Sequence, residues 1–143
     1  MQPNPLPDAI ALRDVSVLVV EDVWHVAKAM KEMLERLGMK VWGPSATAKD
    51  ARLILVDEGP PRIALVDVNL KGEMAWDLIE ELHELGVDVV VMSGYPLLND
   101  PRGRPLTCLQ KPYDAMEIIA ILNEIIAKGE KTGRSRGRTI GGE

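Results

Sequence analysis

A chain of 143 residues has room for one domain with a real core and too little for two of ordinary size. With 46% hydrophobic and 27% charged residues it reads as a soluble globular protein, and no apolar run approaches the about twenty residues that a membrane-spanning helix needs. The net charge of -5 argues against a protein whose main job is to coat nucleic acid, and the lack of a helix-turn-helix or zinc motif leads us to expect no direct DNA binding. The single cysteine, Cys108, and the lack of a signal-like start lead us to expect a cytoplasmic protein without internal disulfides.

Three prolines in the first seven residues predict a flexible N-terminal tail over 1–13. Val15-Ser16-Val17-Leu18-Val19-Val20 is β-branched and continuous, the pattern of a central strand, and ends in Glu21-Asp22. Val23, Val26, Ala27, Met30, Met33, Leu34 and Leu37 then recur at helical spacing, and Gly38 ends that helix. Val41-Trp42 reads as a minimal second strand closed by Gly43-Pro44. Thr47-Ala48-Lys49-Asp50 is a capping-box pattern opening a second helix to about Val56.

Ile63 to Val66 is an apolar run that stops at Asp67, as a strand buried on both faces of a parallel sheet would. Trp76, Leu78, Ile79, Leu82 and Leu85 mark a third helix ended by Gly86. Val87 to Met92 is a fourth strand that delivers Ser93, and Leu106 to Leu109 a fifth that delivers Gln110-Lys111-Pro112. Between them, Tyr95 to Pro105 holds three prolines and a glycine, so a loop or a single turn is expected in place of a helix. Asp114-Ala115-Met116-Glu117 is a second capping box, starting a last helix with Ile118, Ile119, Leu122, Ile125 and Ile126 inward. From Gly129 on, glycine and arginine dominate, so 129–143 is expected to be a disordered basic tail and 14–128 the folded domain.

Strands alternating with helices predict an α/β fold, a doubly wound five-stranded parallel sheet with right-handed crossovers. In such sheets ligands bind beyond the carboxyl ends of the strands. Glu21, Asp22, Asp67, Ser93 and Lys111 all fall at that edge. Alone, each has a bland reading: an acid or serine capping a turn, a surface lysine. Together they suggest chemistry. Three converging carboxylates repel one another, and magnesium, which binds a few carboxylates and keeps several waters, relieves that repulsion. Asp67 is then placed to accept a phosphoryl group, with Lys111 and Ser93 on its oxygens.

This combination, Glu21-Asp22, Val66-Asp67, Ser93-Gly94 and Lys111-Pro112, resembles the signature of response-regulator receiver domains over residues 14 to 128. The resemblance implies a flavodoxin-like strand order 2-1-3-4-5 and phosphorylation of Asp67 by the phosphohistidine of a sensor kinase or histidine phosphotransfer protein. It also implies magnesium held by Asp22, Asp67 and the main-chain carbonyl of Asn69, with Glu21 reaching it through water, and a cis bond at Lys111-Pro112. Where most receivers have proline and glycine after the acceptor, this chain has Lys71 and Ala75, so the loop must turn differently, through Gly72. Cys108 stands where an aromatic switch residue is usual. Ser93-Gly94-Tyr95 is similar to a branch of stand-alone receivers with a threonine-glycine-tyrosine run and a reduced fourth helix, in which Tyr95 would take over the aromatic's signalling part.

His25 and His83 are expected to be solvated helix-surface groups, Trp24 and Trp76 core or rim residues, and Cys108 a small core residue. The expected function is a stand-alone phosphoryl-accepting regulator that signals by altered binding to a downstream protein. It would catalyse only its own phosphorylation and dephosphorylation. The alternative is a binding module that keeps the fold and works without phosphate.

Overall fold

A computed structural model describes residues 9–132. Its main sheet has five parallel strands: β1 (Ser16–Val20), β2 (Lys40–Ser45), β3 (Ile63–Asp67), β6 (Asp88–Ser93) and β7 (Thr107–Gln110). Their spatial order is β2-β1-β3-β6-β7. Two further strands, β4 (Asn69–Leu70) and β5 (Glu73–Met74), form a separate hairpin. With that hairpin set aside, the order is the expected 2-1-3-4-5. The helices are α1 (Trp24–Arg36), α2 (Ala48–Glu58), α3 (Trp76–Glu84) and α4 (Ala115–Thr132).

Alternation along the strands divides the core into two layers. Val17, Val19, Ile63, Leu65, Val90, Met92 and Leu109 pack against Met30 and Leu34 of α1 and Ile118, Ile119 and Leu122 of α4. Leu18, Val20, Ala64, Val66, Val89 and Val91 pack against Ala51 of α2 and Leu78, Ile79 and Leu82 of α3. β3 is buried along its whole length between β1 and β6, and Asp67 at its end pairs with Met92 of β6.

The helix starts follow the capping chemistry in part. Thr47 Oγ1 accepts from Asp50 N at 3.0 Å, one half of a capping box. At α4 the box is reciprocal: Asp114 Oδ1 accepts from Glu117 N at 2.9 Å and Glu117 Oε1 from Asp114 N at 3.1 Å. Among the described residues no helix lies between β6 and β7. A turn closed by Asp100, which accepts from Arg102 N and Arg104 N at 2.8 Å, and an antiparallel bridge between Asn99 and Pro105 fill that interval.

Several elements differ from the sequence reading. Residues 9–12 form a 3-10 turn rather than tail, and Leu12 is fully buried between α1 and α4, so the folded unit begins before residue 14. At the other end α4 runs through the expected boundary at 128 to Thr132; the rest of both expected tails lies outside the described residues. β2 does not stop at Gly43-Pro44 but continues through this cis peptide to Ser45, because the pairing with β1 shifts register between Leu18 and Val20. The loop after Asp67 folds as the β4–β5 hairpin. Lys71 and Gly72, with φ of 54° and 85°, occupy its two turn positions, the geometry of a type I′ turn.

Candidate functional site

The site lies at the carboxyl edge of the sheet. β1 delivers Glu21 and Asp22, β3 delivers Asp67, β6 delivers Ser93, and β7 delivers Lys111. The sequence-predicted side chains come together there. Carboxylate oxygens of Glu21, Asp22 and Asp67 lie within 4.8 Å of one another. Glu21, Asp67 and Ser93 are buried. Lys111 Nζ donates to Asp67 Oδ2 at 2.5 Å and stands 3.7 Å from Glu21 Oε1. Lys111 N donates to Ser93 O at 2.7 Å, tying the two loops together, and Lys111-Pro112 is cis, as the resemblance implies.

Backbone donors orient the acids. Val23 N donates to Glu21 Oε2 at 3.0 Å, and Asn69 N donates to Asp67 Oδ1 at 2.9 Å. Asn69 Oδ1 accepts from Gly72 N at 2.6 Å, so Asn69 links the acceptor to the β4–β5 turn. Ser93 Oγ accepts from Tyr95 N at 3.0 Å. A cleft of about 520 Å³ opens over Asp67, lined also by Met74, Trp76, Tyr95 and Leu97. Tyr95 is largely exposed at its rim, while Trp76 and Leu97 are half-buried there.

Three acids against one lysine leave the site electrically unbalanced. Burial, followed by the neighbouring Asp67 charge, outweighs the Val23 N–H and Lys111 and holds the Glu21 carboxyl above its ordinary value. Burial by itself would lower Lys111, yet its hydrogen bond to Asp67 and the Glu21, Asp67 and Asp22 charges hold it above the usual lysine value. Glu21 Oε1 is buried without a hydrogen-bond partner. Such a set of oxygen donors, short of positive charge, suits a hard divalent cation and can hold a metal ion.

Tyr113 was missed in the sequence. Half-buried beside the site, it donates its hydroxyl to Met92 Sδ at 3.4 Å, and burial together with the Glu21 and Asp67 charges pushes it up to about 12. Its place two residues beyond Lys111 was the available signal. His25 is exposed, as expected. His83 is not simply a solvated surface group: its Nδ1 is buried without a hydrogen-bond partner, and burial, then Arg104, lowers the imidazole below its ordinary value. Cys108 is half-buried against the α2–α3 layer, with Sγ 3.9 Å from the main-chain oxygen of Tyr95.

No family model and no curated protein matches the sequence. Solved structures do. The response regulator PhyR from Brucella abortus is similar over 90% of this chain and 55% of its own, at 25% identity and a TM-score of 0.77. The anti-anti-sigma factor PhyR from Bartonella quintana has a similar fold over 90% of this chain and 54% of its own, at 23% identity and a TM-score of 0.76. A CheY-like receiver domain from Methylobacillus flagellatus is similar over 78% of this chain and 98% of its own, at 26% identity and a TM-score of 0.66. The chain thus spans about half the length of the PhyR proteins and nearly all of the receiver. The sheet order and these similarities agree, and the chain has the fold of response-regulator receiver domains.

Proposed function

We propose that the protein is a phosphoryl-accepting regulator that takes its phosphoryl group on Asp67 from the phosphohistidine of a sensor kinase or histidine phosphotransfer protein. The observation that carries this reading is the pairing of Lys111 Nζ with Asp67 Oδ2 at 2.5 Å inside a three-carboxylate cluster at the open end of the sheet. An Asp67 oxygen attacks phosphorus, the phosphorus–nitrogen bond breaks, and its electron pair leaves with the imidazole, which takes a proton from solvent. Lys111 leaves its pairing with the carboxylate to hold one phosphoryl oxygen, and Ser93 holds another by its hydroxyl. Asp22, Asp67 and the main-chain carbonyl of Asn69 would hold magnesium, with Glu21 acting through water. When bound, magnesium neutralises charge that builds on the transferring oxygens.

The consequence travels through Ser93. Its hydroxyl accepts from Tyr95 N, so a bond from Ser93 to phosphate changes the anchor of the segment from Tyr95 to Pro105. Output is altered binding to a downstream protein, without catalysis beyond the chain's own phosphorylation and dephosphorylation. One neighbour of the same fold is named an anti-anti-sigma factor, which supports an output through protein contacts. The test is amide chemical shifts on adding beryllium fluoride with magnesium, a mimic of the phosphorylated acceptor. Saturable changes at Ser93 to Arg104 and Lys111, lost in Asp67→Asn, support the proposal. Unchanged shifts favour the alternative, a phosphate-independent binding module.

A further inference from the structure

A second cleft, of about 410 Å³, lies on the far side of the Glu21-Asp22 pair, between α1 and the turn from β2 to α2. Its volume is in the range of small-molecule sites. One buried oxygen on its lining that the phosphoryl-accepting site does not use lacks a hydrogen-bond partner: Ser45 Oγ, in a residue 4% exposed. Buried polar atoms are normally satisfied, so such an atom marks a place where a polar group of a ligand is wanted. The walls are largely apolar, with Pro44 on one side and the Trp24 indole on the other. Trp24 is 73% exposed although it is the bulkiest apolar side chain on its helix.

Charge is graded across the cleft. At the rim stand Lys28 and Lys31 with Glu32. Lys28 Nζ lies 5.3 Å from the indole centroid, so cation and aromatic face are presented together. The lysines pair with Glu32 at 4.0 Å and Glu35 at 2.8 Å, but these are exposed i,i+4 pairs, which hold weakly and exchange for another anion at little cost. The rim thus favours an anion, the wall a flat ring, and the floor a hydrogen-bond donor.

We infer that this cleft is a second ligand site, for a flat aromatic ring that bears an anionic group at one end and a hydrogen-bond donor at the other. The ring stacks on Trp24, the anion meets Lys28 and Lys31, and the donor reaches Ser45 Oγ. Both nucleoside monophosphates and hydroxylated aromatic acids have this chemistry. The inference does not depend on phosphoryl transfer at Asp67.

The experiment titrates the full chain with adenosine monophosphate and, separately, with 4-hydroxybenzoate, following amide chemical shifts and calorimetry. Saturable shifts at Trp24, Lys28, Ser45 and Ala46 are expected, and the probe that produces them tells a nucleotide from an aromatic acid. Trp24→Ala, at an exposed position, should weaken binding about tenfold or more, as loss of a stacking platform does. Ser45→Ala should weaken it while leaving the fold intact, as its unchanged amide spectrum elsewhere would show. The inference is overturned if neither probe saturates below millimolar concentration, if the shifts centre on Ser93 and Lys111 instead, or if Trp24→Ala binds as the wild type does.

Discussion

Replacing Lys111 by methionine keeps the length of the side chain and removes the cation that pairs with Glu21 and Asp67. Asp67 then loses its 2.5 Å partner and Glu21 its 3.7 Å one. Leaving a fully buried charge unpaired costs about 3–5 kcal/mol. The Lys111 side chain is 36% exposed, so solvent screening reduces that to about 2 kcal/mol. The sign with pH follows from Glu21, whose carboxyl is held above its ordinary value in the folded state. A raised acid binds its proton more tightly when folded, so its penalty is absent below the ordinary carboxyl range. It grows as pH rises through the folded value and persists above it. The difference between wild type and Lys111→Met should therefore be smaller near pH 4.5, where Glu21 carries its proton, and reach about 2 kcal/mol at pH 7.5. Lys111 itself, held above its usual value, supplies its stabilisation throughout that window. Urea unfolding at the two pH values measures it, and millimolar magnesium should recover most of the loss at pH 7.5. An equal loss at both pH values, unaffected by magnesium, would refute the electrostatic reasoning.

Other perturbations test the frame around the site. Leu12→Ala removes a fully buried side chain and should cost about 2–5 kcal/mol in urea unfolding; a neutral result would return residues 9–13 to the status of tail. Gly72→Ala introduces a Cβ that meets no neighbour but must adopt a φ of 85°, so about 1–2 kcal/mol should be lost through backbone strain alone. Gly72→Asn should lose less, which hydrogen exchange of the hairpin amides can compare. Arg52 makes a forked pair with Glu81 at 2.6 Å and 2.9 Å, joining α2 to α3, and that hydrogen bond holds the Glu81 carboxyl below its ordinary value. Its stabilisation is present above the ordinary carboxyl range and lost as pH falls through the folded value. Both side chains are over 40% exposed, so Arg52→Ala should cost under about 1 kcal/mol at pH 7 and almost nothing near pH 3.

Which features the sequence disclosed depends on whether their cause is local. β1, β3 and β6 announce themselves because each is an apolar run that ends at a polar residue. The site follows from those endings, since parallel strands bring their carboxyl ends to one edge. The proline-broken stretch after Ser93 was legible for the same reason: proline removes the donors a helix needs. The β4–β5 hairpin was not, because two-residue strands show no period; only the Lys71-Gly72 pair between Leu70 and Glu73 hints at a tight turn. Leu12 was hidden by the prolines before it, and its burial depends on α1 and α4, which close over it from distant parts of the chain. His83 was read by residue type and helix position and Tyr113 was passed over, whereas their surroundings come from the Asp100 turn and from the acidic site.

The central claim is that Asp67 is the acceptor. The intact mass of the protein after incubation with acetyl phosphate and magnesium, beside an Asp67→Ala control, tests it most directly. The account predicts one added phosphoryl group on the wild type, none on the control, and none on the wild type when magnesium is chelated. Equal labelling of wild type and control would contradict it, as would a wild type that gains nothing even when spectra are taken within seconds of mixing.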